Sequence, residues 1–252
     1  MPSAGNPSFR ASLRRWGVSG LALCAVAVAC ASPAPVAPAA GTGTVWGHLR
    51  LVPHEGVTPH KPGASPYSDR RMSDVQFVDY SKPGFAVVHL DQGPSPAGAA
   101  ELAIRSTGVR TRLDPAYAAV GAGGKLVVRN DTGAAHVLSA PTMGLVRRLE
   151  PGQQVAIAVP DPGEQSLFLL DVARSESRVF VSAGPFAVVA EDGRYELSGL
   201  SPGNHTLLAW HPRFPPARAA VQIAPDSVVE IDLDMGVDQR DDVPASAPAA
   251  HP

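Results

Sequence analysis

The chain has 252 residues, with 21 Lys and Arg set against 23 Asp and Glu, a formal net charge of -2 and only two cysteines. A near-balanced charge without a dense basic run excludes nucleic acid as the expected partner, because such proteins carry a clustered Lys/Arg footprint. The two cysteines, Cys24 and Cys30, both precede the first Pro/Ala-rich stretch. The body is therefore expected to form no internal disulfide and to draw its stability from apolar packing.

The N-terminus sets Arg10, Arg14 and Arg15 ahead of an apolar stretch from Trp16 to Ala31. This basic segment followed by a short apolar one is the layout of a secretory signal. About 15 apolar residues fall short of the roughly 20 that a bilayer-spanning helix needs, so a signal over residues 1–30 is expected rather than a retained span. The run Leu23-Cys24-Ala25-Val26-Ala27-Val28-Ala29-Cys30 resembles a bacterial lipobox. That resemblance implies lipidation at Cys30 and a periplasmic or envelope location on a lipid anchor. Cleavage after Ala29 or Ala31, releasing a soluble protein, is the alternative.

Residues 31–42 form a Pro/Ala linker, and residues 238–252 a Pro/Ala/Ser tail, both without apolar periodicity. Such composition predicts a solvated, semi-extended chain. Between them lie ~200 residues, enough for one large or two small domains.

In chain order, strands are expected over Thr44 to Val52, Phe85 to Leu90, Gly124 to Arg129, Val155 to Val159, Ser166 to Leu170, Arg178 to Val181, His205 to Trp210 and Val228 to Leu233. Turn signals separate them, including Pro83-Gly84, Pro151-Gly152, Asp161-Pro162-Gly163, Asp192-Gly193 and Ser201-Pro202-Gly203-Asn204. Short runs at this spacing, without the i, i+3, i+4, i+7 pattern of helices, predict an all-β protein of two sandwich units. Pro53 to Met72 is read as a long loop. Asp91 to Ala100 is read as a linker, with a domain junction near Gly93 to Gly98.

Two blocks resemble known families. Leu113-Asp114-Pro115, Val120, the run Gly124-Lys125-Leu126-Val127-Val128-Arg129-Asn130-Asp131 and His136-Val137 resemble the first half of a cupredoxin domain. The block from Gly193-Arg194-Tyr195-Glu196-Leu197 through Ser201-Pro202-Gly203-Asn204-His205 to Trp210-His211 resembles the close of a carboxypeptidase-regulatory-like (transthyretin-like) β-sandwich. The combination is similar to bacterial periplasmic proteins of the methylamine-utilization or plastocyanin-like kind. It implies Greek-key sandwiches arranged as residues 43–98 and 185–237 for the regulatory-like unit, with 99–184 forming the cupredoxin-like one. It also implies a carbohydrate-binding-like fold in the former.

The cupredoxin resemblance implies a metal centre of two imidazoles, a thiolate and a weak axial ligand, usually Met. The stretch that corresponds to the thiolate-bearing segment is Phe168-Leu169-Leu170-Asp171-Val172-Ala173-Arg174-Ser175. Leu169 stands where Cys is expected, Val172 where His is expected and Ser175 where Met is expected. Of that set His136 alone remains, as the remnant metal ligand. No cysteine follows Cys30, so a blue-copper carrier is not expected and no cofactor is assigned. Copper held by His136 and a second histidine, without a thiolate, is the alternative. The remaining imidazoles are His48, His54, His60, His89, His205, His211 and His251. His205 and His211 share a strand, but at roughly 20 Å apart they are too distant for one ion.

No zinc-protease or nucleophile-elbow motif appears, and Gly121-Ala122-Gly123-Gly124-Lys125 lacks the spacing of a phosphate loop. Arg147-Arg148 is expected as a solvated or strand-edge pair. The reading is a non-enzymatic exported binding or scaffold protein whose partner is an envelope protein or glycan.

Overall fold

A computed structural model describes residues 34–56, 78–108 and 110–237. The proposed signal with Cys30, most of the long loop, the C-terminal tail, His60 and His251 lie outside the described residues. Within them the protein is built from strands, with one short 3-10 turn at Pro141–Met143.

The chain begins with β1 (Gly43–Leu51) and β2 (Val87–Leu90). It then forms β3 (Ala99–Thr107), β4 (Arg110–Asp114), β5 (Tyr117–Gly121), β6 (Gly124–Asn130), β7 (His136–Ala140), β8 (Leu145–Leu149), β9 (Gln154–Val159), β10 (Gly163–Leu169) and β11 (Glu176–Ser182). It closes with β12 (Phe186–Val188), β13 (Arg194–Leu200), β14 (Gly203–His211), β15 (Phe214–Ile223), β16 (Val228–Glu230) and β17 (Leu233–Met235).

These strands make four sheets around two cores. The first core is closed by the sheet β13-β1-β16, to which β17 also adds through β1, and by the sheet β12-β2-β14-β15. It contains Val45, Leu49, Val88, Leu90, Tyr195, Leu197, Leu207, Ala209 and Leu233, so it takes residues from both ends of the described chain. The second core lies between β5-β11-β10-β7-β8 and β4-β3-β6-β9 and is built from residues 100–181. The second sandwich is thus inserted between β2 and β12 of the first.

Side-chain alternation explains why some strands read as unbroken apolar runs. On β11, Val179 and Val181 enter the second core, while Phe180 points the other way and contacts His89 and Trp210 of the first sandwich. On β2, Val88 and Leu90 enter the first core, while Val87 is also fully buried. A strand covered on both faces needs apolar residues at every position rather than every second one. The outer faces of the two middle sheets therefore meet along a line of rings. Tyr117 stacks on Phe85 at 5.9 Å, Phe85 meets Trp210 edge-on at 6.3 Å, Trp210 stacks on Phe180 at 5.0 Å, and Phe180 lies 4.9 Å from His89.

Several elements differ from expectation. The single strand expected over Val228 to Leu233 is broken into β16 and β17. At the break Asp232 turns its carboxylate onto the His48 N–H (2.9 Å) while Ile231 N–H bonds the Trp46 carbonyl (2.8 Å). β3 was hidden because Ala-Ala-Glu-Leu-Ala is built of good helix formers, and pairing with β4 and β6 overrides that preference. β3 pairs antiparallel with β4 out to Thr107–Arg110 and is followed by Gly108 at φ 62°, a left-handed conformation that glycine adopts without strain. β15 carries Pro215-Pro216 at a register shift, between the pairs Ala209–Ala217 and His211–Phe214, and pairs regularly with β14 from Ala217 to Ile223. The strand accommodates them because it is an edge and because they fall at this bulge, where no ladder pair is broken. β8 is likewise an edge, and Arg147-Arg148 lie exposed on it.

The last part of the Pro/Ala segment touches the body. Val36 N–H bonds Glu196 Oε1 and Gly41 N–H bonds Asp226 Oδ1, each at 2.7 Å.

Candidate functional site

His136 opens β7 because the preceding turn is tightly bonded. Asn130 is fully buried; its amide donates to the carbonyls of Ala134 (2.8 Å) and Leu149 (3.0 Å), and its Oδ1 accepts from the Thr132 N–H and hydroxyl. This Asx-type network satisfies a polar side chain that burial would otherwise penalise. It delivers His136, 7% exposed, opposite Leu149 on the β7–β8 ladder.

The segment that follows β10 closes over the histidine. Leu170 N–H bonds the Val137 carbonyl at 2.9 Å and Leu169 N–H bonds the Ser175 carbonyl at 3.2 Å, so residues 170–175 form a bonded loop. Asp171 sits at its tip and binds twice. Its Oδ2 lies 2.7 Å from His136 Nδ1, and its Oδ1 accepts the Val137 N–H at 2.9 Å. Partial burial acts to raise the Asp171 carboxyl pKa, but the Val137 amide and the His136 ring together outweigh it and hold the group below the ordinary carboxylate range. Asp171 is thus the acceptor and His136 Nδ1–H the donor. Nε2 is left buried and without a hydrogen-bond partner among the described residues.

The positions that the cupredoxin resemblance would assign to the remaining ligands serve as packing and loop supports. Leu169 and Ser175 are buried at 3% and 4% exposure, and Val172 packs against the second core. Ser175 Oγ accepts the Leu113 N–H at 3.3 Å, which ties the loop to the end of β4. Tested against a blue-copper centre, this donor set does not fit. The thiolate, second imidazole and thioether are replaced by groups that bind no soft metal, and the nitrogen Nδ1 is engaged by a carboxylate. No group of three or more His, Cys, Asp and Glu placed to share an ion occurs among the described residues.

Asp171 and His136 do form the acid–base pair that a hydrolase would require. Nucleophilic catalysis further needs a hydroxyl or thiol in hydrogen-bond reach of the free ring nitrogen. His136 Nε2 has no such neighbour among the described residues.

The other histidines are dispersed. His48 meets Trp46 edge-on, His89 lies on Phe180, and His205 Nε2 bonds the Ser201 carbonyl at 2.9 Å. His211 is held at both ring nitrogens: Nε2–H donates to the Pro83 carbonyl (3.0 Å) and Nδ1 accepts the Arg213 N–H (3.0 Å). Burial pushes the pKa of His211 down, as it does for His89. Sequence reasoning missed this bracket and Asp171, since neither forms a local motif.

No family model matches the chain, and no curated protein matches it. Among solved structures it is similar to a purple cupredoxin from Nitrosopumilus maritimus, at 18% identity and a TM-score of 0.28 over 33% of this chain and 99% of that one. It is also similar to the reduced Cu(I) form of an amicyanin variant, at 13% identity and a TM-score of 0.30 over 38% of this chain and 98% of that one.

Proposed function

We propose that the protein is a non-enzymatic, exported component of the cell envelope, lipid-anchored at Cys30, in which a cupredoxin-like unit serves as a binding or scaffold module. The first sandwich is its regulatory-like companion, and its partner is an envelope protein or glycan. The observation that carries this reading is the Asp171 carboxylate on His136 Nδ1 and the Val137 N–H. A surviving ligand position converted into a strand clamp is what a scaffold retained without its metal would keep.

The rival is a thiolate-free copper site. It draws on one feature, the buried and unpartnered Nε2 of His136. A ligand that binds the folded state alone raises its stability by RT ln(1 + [L]/Kd), about 2.7 kcal/mol at a hundredfold excess over Kd. Thermal unfolding with and without Cu(II), and with Cu(I) under reductant, separates the two. The scaffold reading expects unchanged midpoints. A copper-dependent rise that disappears in His136→Ala would establish the rival. For the anchor, membrane fractionation of the wild type and Cys30→Ser is decisive: the variant is expected to move to the soluble fraction, and equal distribution would refute lipidation.

A further inference from the structure

Where the two sandwiches meet, the surface opens into a cleft of about 280 Å³ lined by Lys82, Pro83, Phe85, Tyr117, His211 and Arg213 among others. Both units contribute, since Tyr117 belongs to β5 while Lys82, Pro83 and Phe85 precede β2, His211 ends β14 and Arg213 follows it. Concave sites at the junction of two folded units, part apolar with a few convergent polar groups, are the usual form of small-ligand sites.

One wall carries two aromatic rings. The rings of Phe85 and Tyr117 are stacked with an interplanar angle of 25° and both are half-buried, leaving part of the pair open to solvent. The charged groups come from two chain segments held together by His211. Its Nε2–H bonds the carbonyl of Pro83, the residue after Lys82, and its Nδ1 accepts the N–H of Arg213. Arg178 of the second sandwich clamps the same turn through the Pro212 carbonyl at 3.3 Å. The backbones that carry Lys82 and Arg213 are therefore fixed before any ligand arrives.

Lys82 and Arg213 are exposed, and neither forms a salt bridge among the described residues. Asp79 also lines the cleft, and its Oδ1 accepts from the N–H and hydroxyl of Ser81. With His211 neutral, the two cations exceed this one carboxylate by a single positive charge. Elsewhere on the protein, exposed arginines are commonly matched with acids, as in Arg50–Asp234, Arg105–Asp114, Arg129–Asp131 and Arg148–Glu150. Lys82 interacts electrostatically with Asp79, and the one cation left in excess beside the aromatic pair stands out against that pattern.

We propose that this cleft binds a small organic anion, a carboxylate carried on a flat apolar ring. The ring lies on the Phe85–Tyr117 pair, and the carboxylate is taken by Arg213 and Lys82. Charge-assisted bonds from a guanidinium to a carboxylate are strong and directional, and offset stacking on an aromatic face supplies the apolar part. The inference names a ligand class for a site remote from His136 and does not rest on export or anchoring.

The test is an NMR titration of the purified protein with benzoate, using benzyl alcohol as the uncharged probe of the same shape, and reading the Phe85 and Tyr117 ring protons. Benzoate is expected to shift both rings saturably, with benzyl alcohol at least tenfold weaker. The Lys82→Ala, Arg213→Ala double variant should weaken benzoate at least tenfold while its other resonances stay in place, since both side chains are exposed. Absence of ring shifts with benzoate, equal binding of the alcohol, or undiminished binding by the double variant would overturn the proposal. Each outcome leaves the copper experiments unaffected.

Discussion

Asp171 Oδ2 stands 2.7 Å from His136 Nδ1 across a gap of 35 positions in the chain. The same carboxylate holds the Val137 amide, next to the histidine on β7. One acidic side chain thereby fixes both the ring and the backbone at the end of the second sandwich.

Removing that side chain has two consequences. Asp171→Ala leaves a buried imidazole N–H without its acceptor, at a cost of about 1–3 kcal/mol, while the exposed Val137 N–H can bond water instead. A fall in unfolding free energy of about 2 kcal/mol is expected by denaturant titration. The pH dependence follows from the depressed carboxyl pKa. Its contribution is complete above the unfolded-state value near 4 and is lost as pH falls through the folded-state value. The variant should lose that part of the acid-side decline; an unchanged profile would show that the pair contributes nothing.

His89 and His211 act on the neighbouring pH range. Burial lowers both pKa values in the folded protein, so the unfolded chain takes up protons first. Stability is expected to be full above about pH 6.5 and to decline as pH falls below it toward the folded-state values. Protonation of His211 would also turn its Nδ1 from an acceptor of the Arg213 N–H into a competing donor. Thermal midpoints measured between pH 7.5 and 5 should fall, and by less in His211→Gln; a rising midpoint would contradict the burial.

The seam between the sandwiches makes a separate mutational prediction. Phe180 contacts both Trp210 and His89 and is 7% exposed. Truncation of a buried Phe costs about 3–5 kcal/mol. Phe180→Ala is expected near the lower end, with a change in Trp210 fluorescence, because the stacked ring 5.0 Å away is lost. A variant as stable as the wild type would mean that the two sandwiches are not joined through these rings.

Gly47 tests the first sandwich. It pairs with Tyr195, and a Cβ built at Gly47 would stand 1.8 Å from the Ile231 carbonyl oxygen, the atom that accepts the Tyr195 hydroxyl at 2.5 Å. Backbone cannot yield as a flexible side chain can. Gly47→Ala is therefore expected to destabilise by about 3 kcal/mol or more, the upper range for overpacking. A neutral result in chemical denaturation would place β1 differently.

Much of the fold was written locally. The turns at Asp192-Gly193 and Pro202-Gly203 and the strand expected over His205 to Trp210 are local signals that the structure realises around β13 and in β14. The place of His136 was legible through the resemblance of the block ending in Asn130-Asp131 and His136-Val137 to a cupredoxin half. What stayed hidden depends on contacts distant in sequence. β3 looks helical until its ladder partners are known, and Pro215-Pro216 argue against a strand until β15 is seen to be an edge. Asp171 was legible only as part of a stretch lacking ligands, because its partner lies on another strand. The cleft was invisible because Tyr117 and Arg213 come together only when the second sandwich folds back onto the first.

The account turns on whether the His136 position still serves a metal. Chelator-competition titration of the purified protein with Cu(I) and Cu(II), run in parallel on His136→Ala, measures this directly. The scaffold reading predicts no tight stoichiometric binding and no difference between the two proteins. One equivalent of copper bound by the wild type and lost in His136→Ala would contradict it.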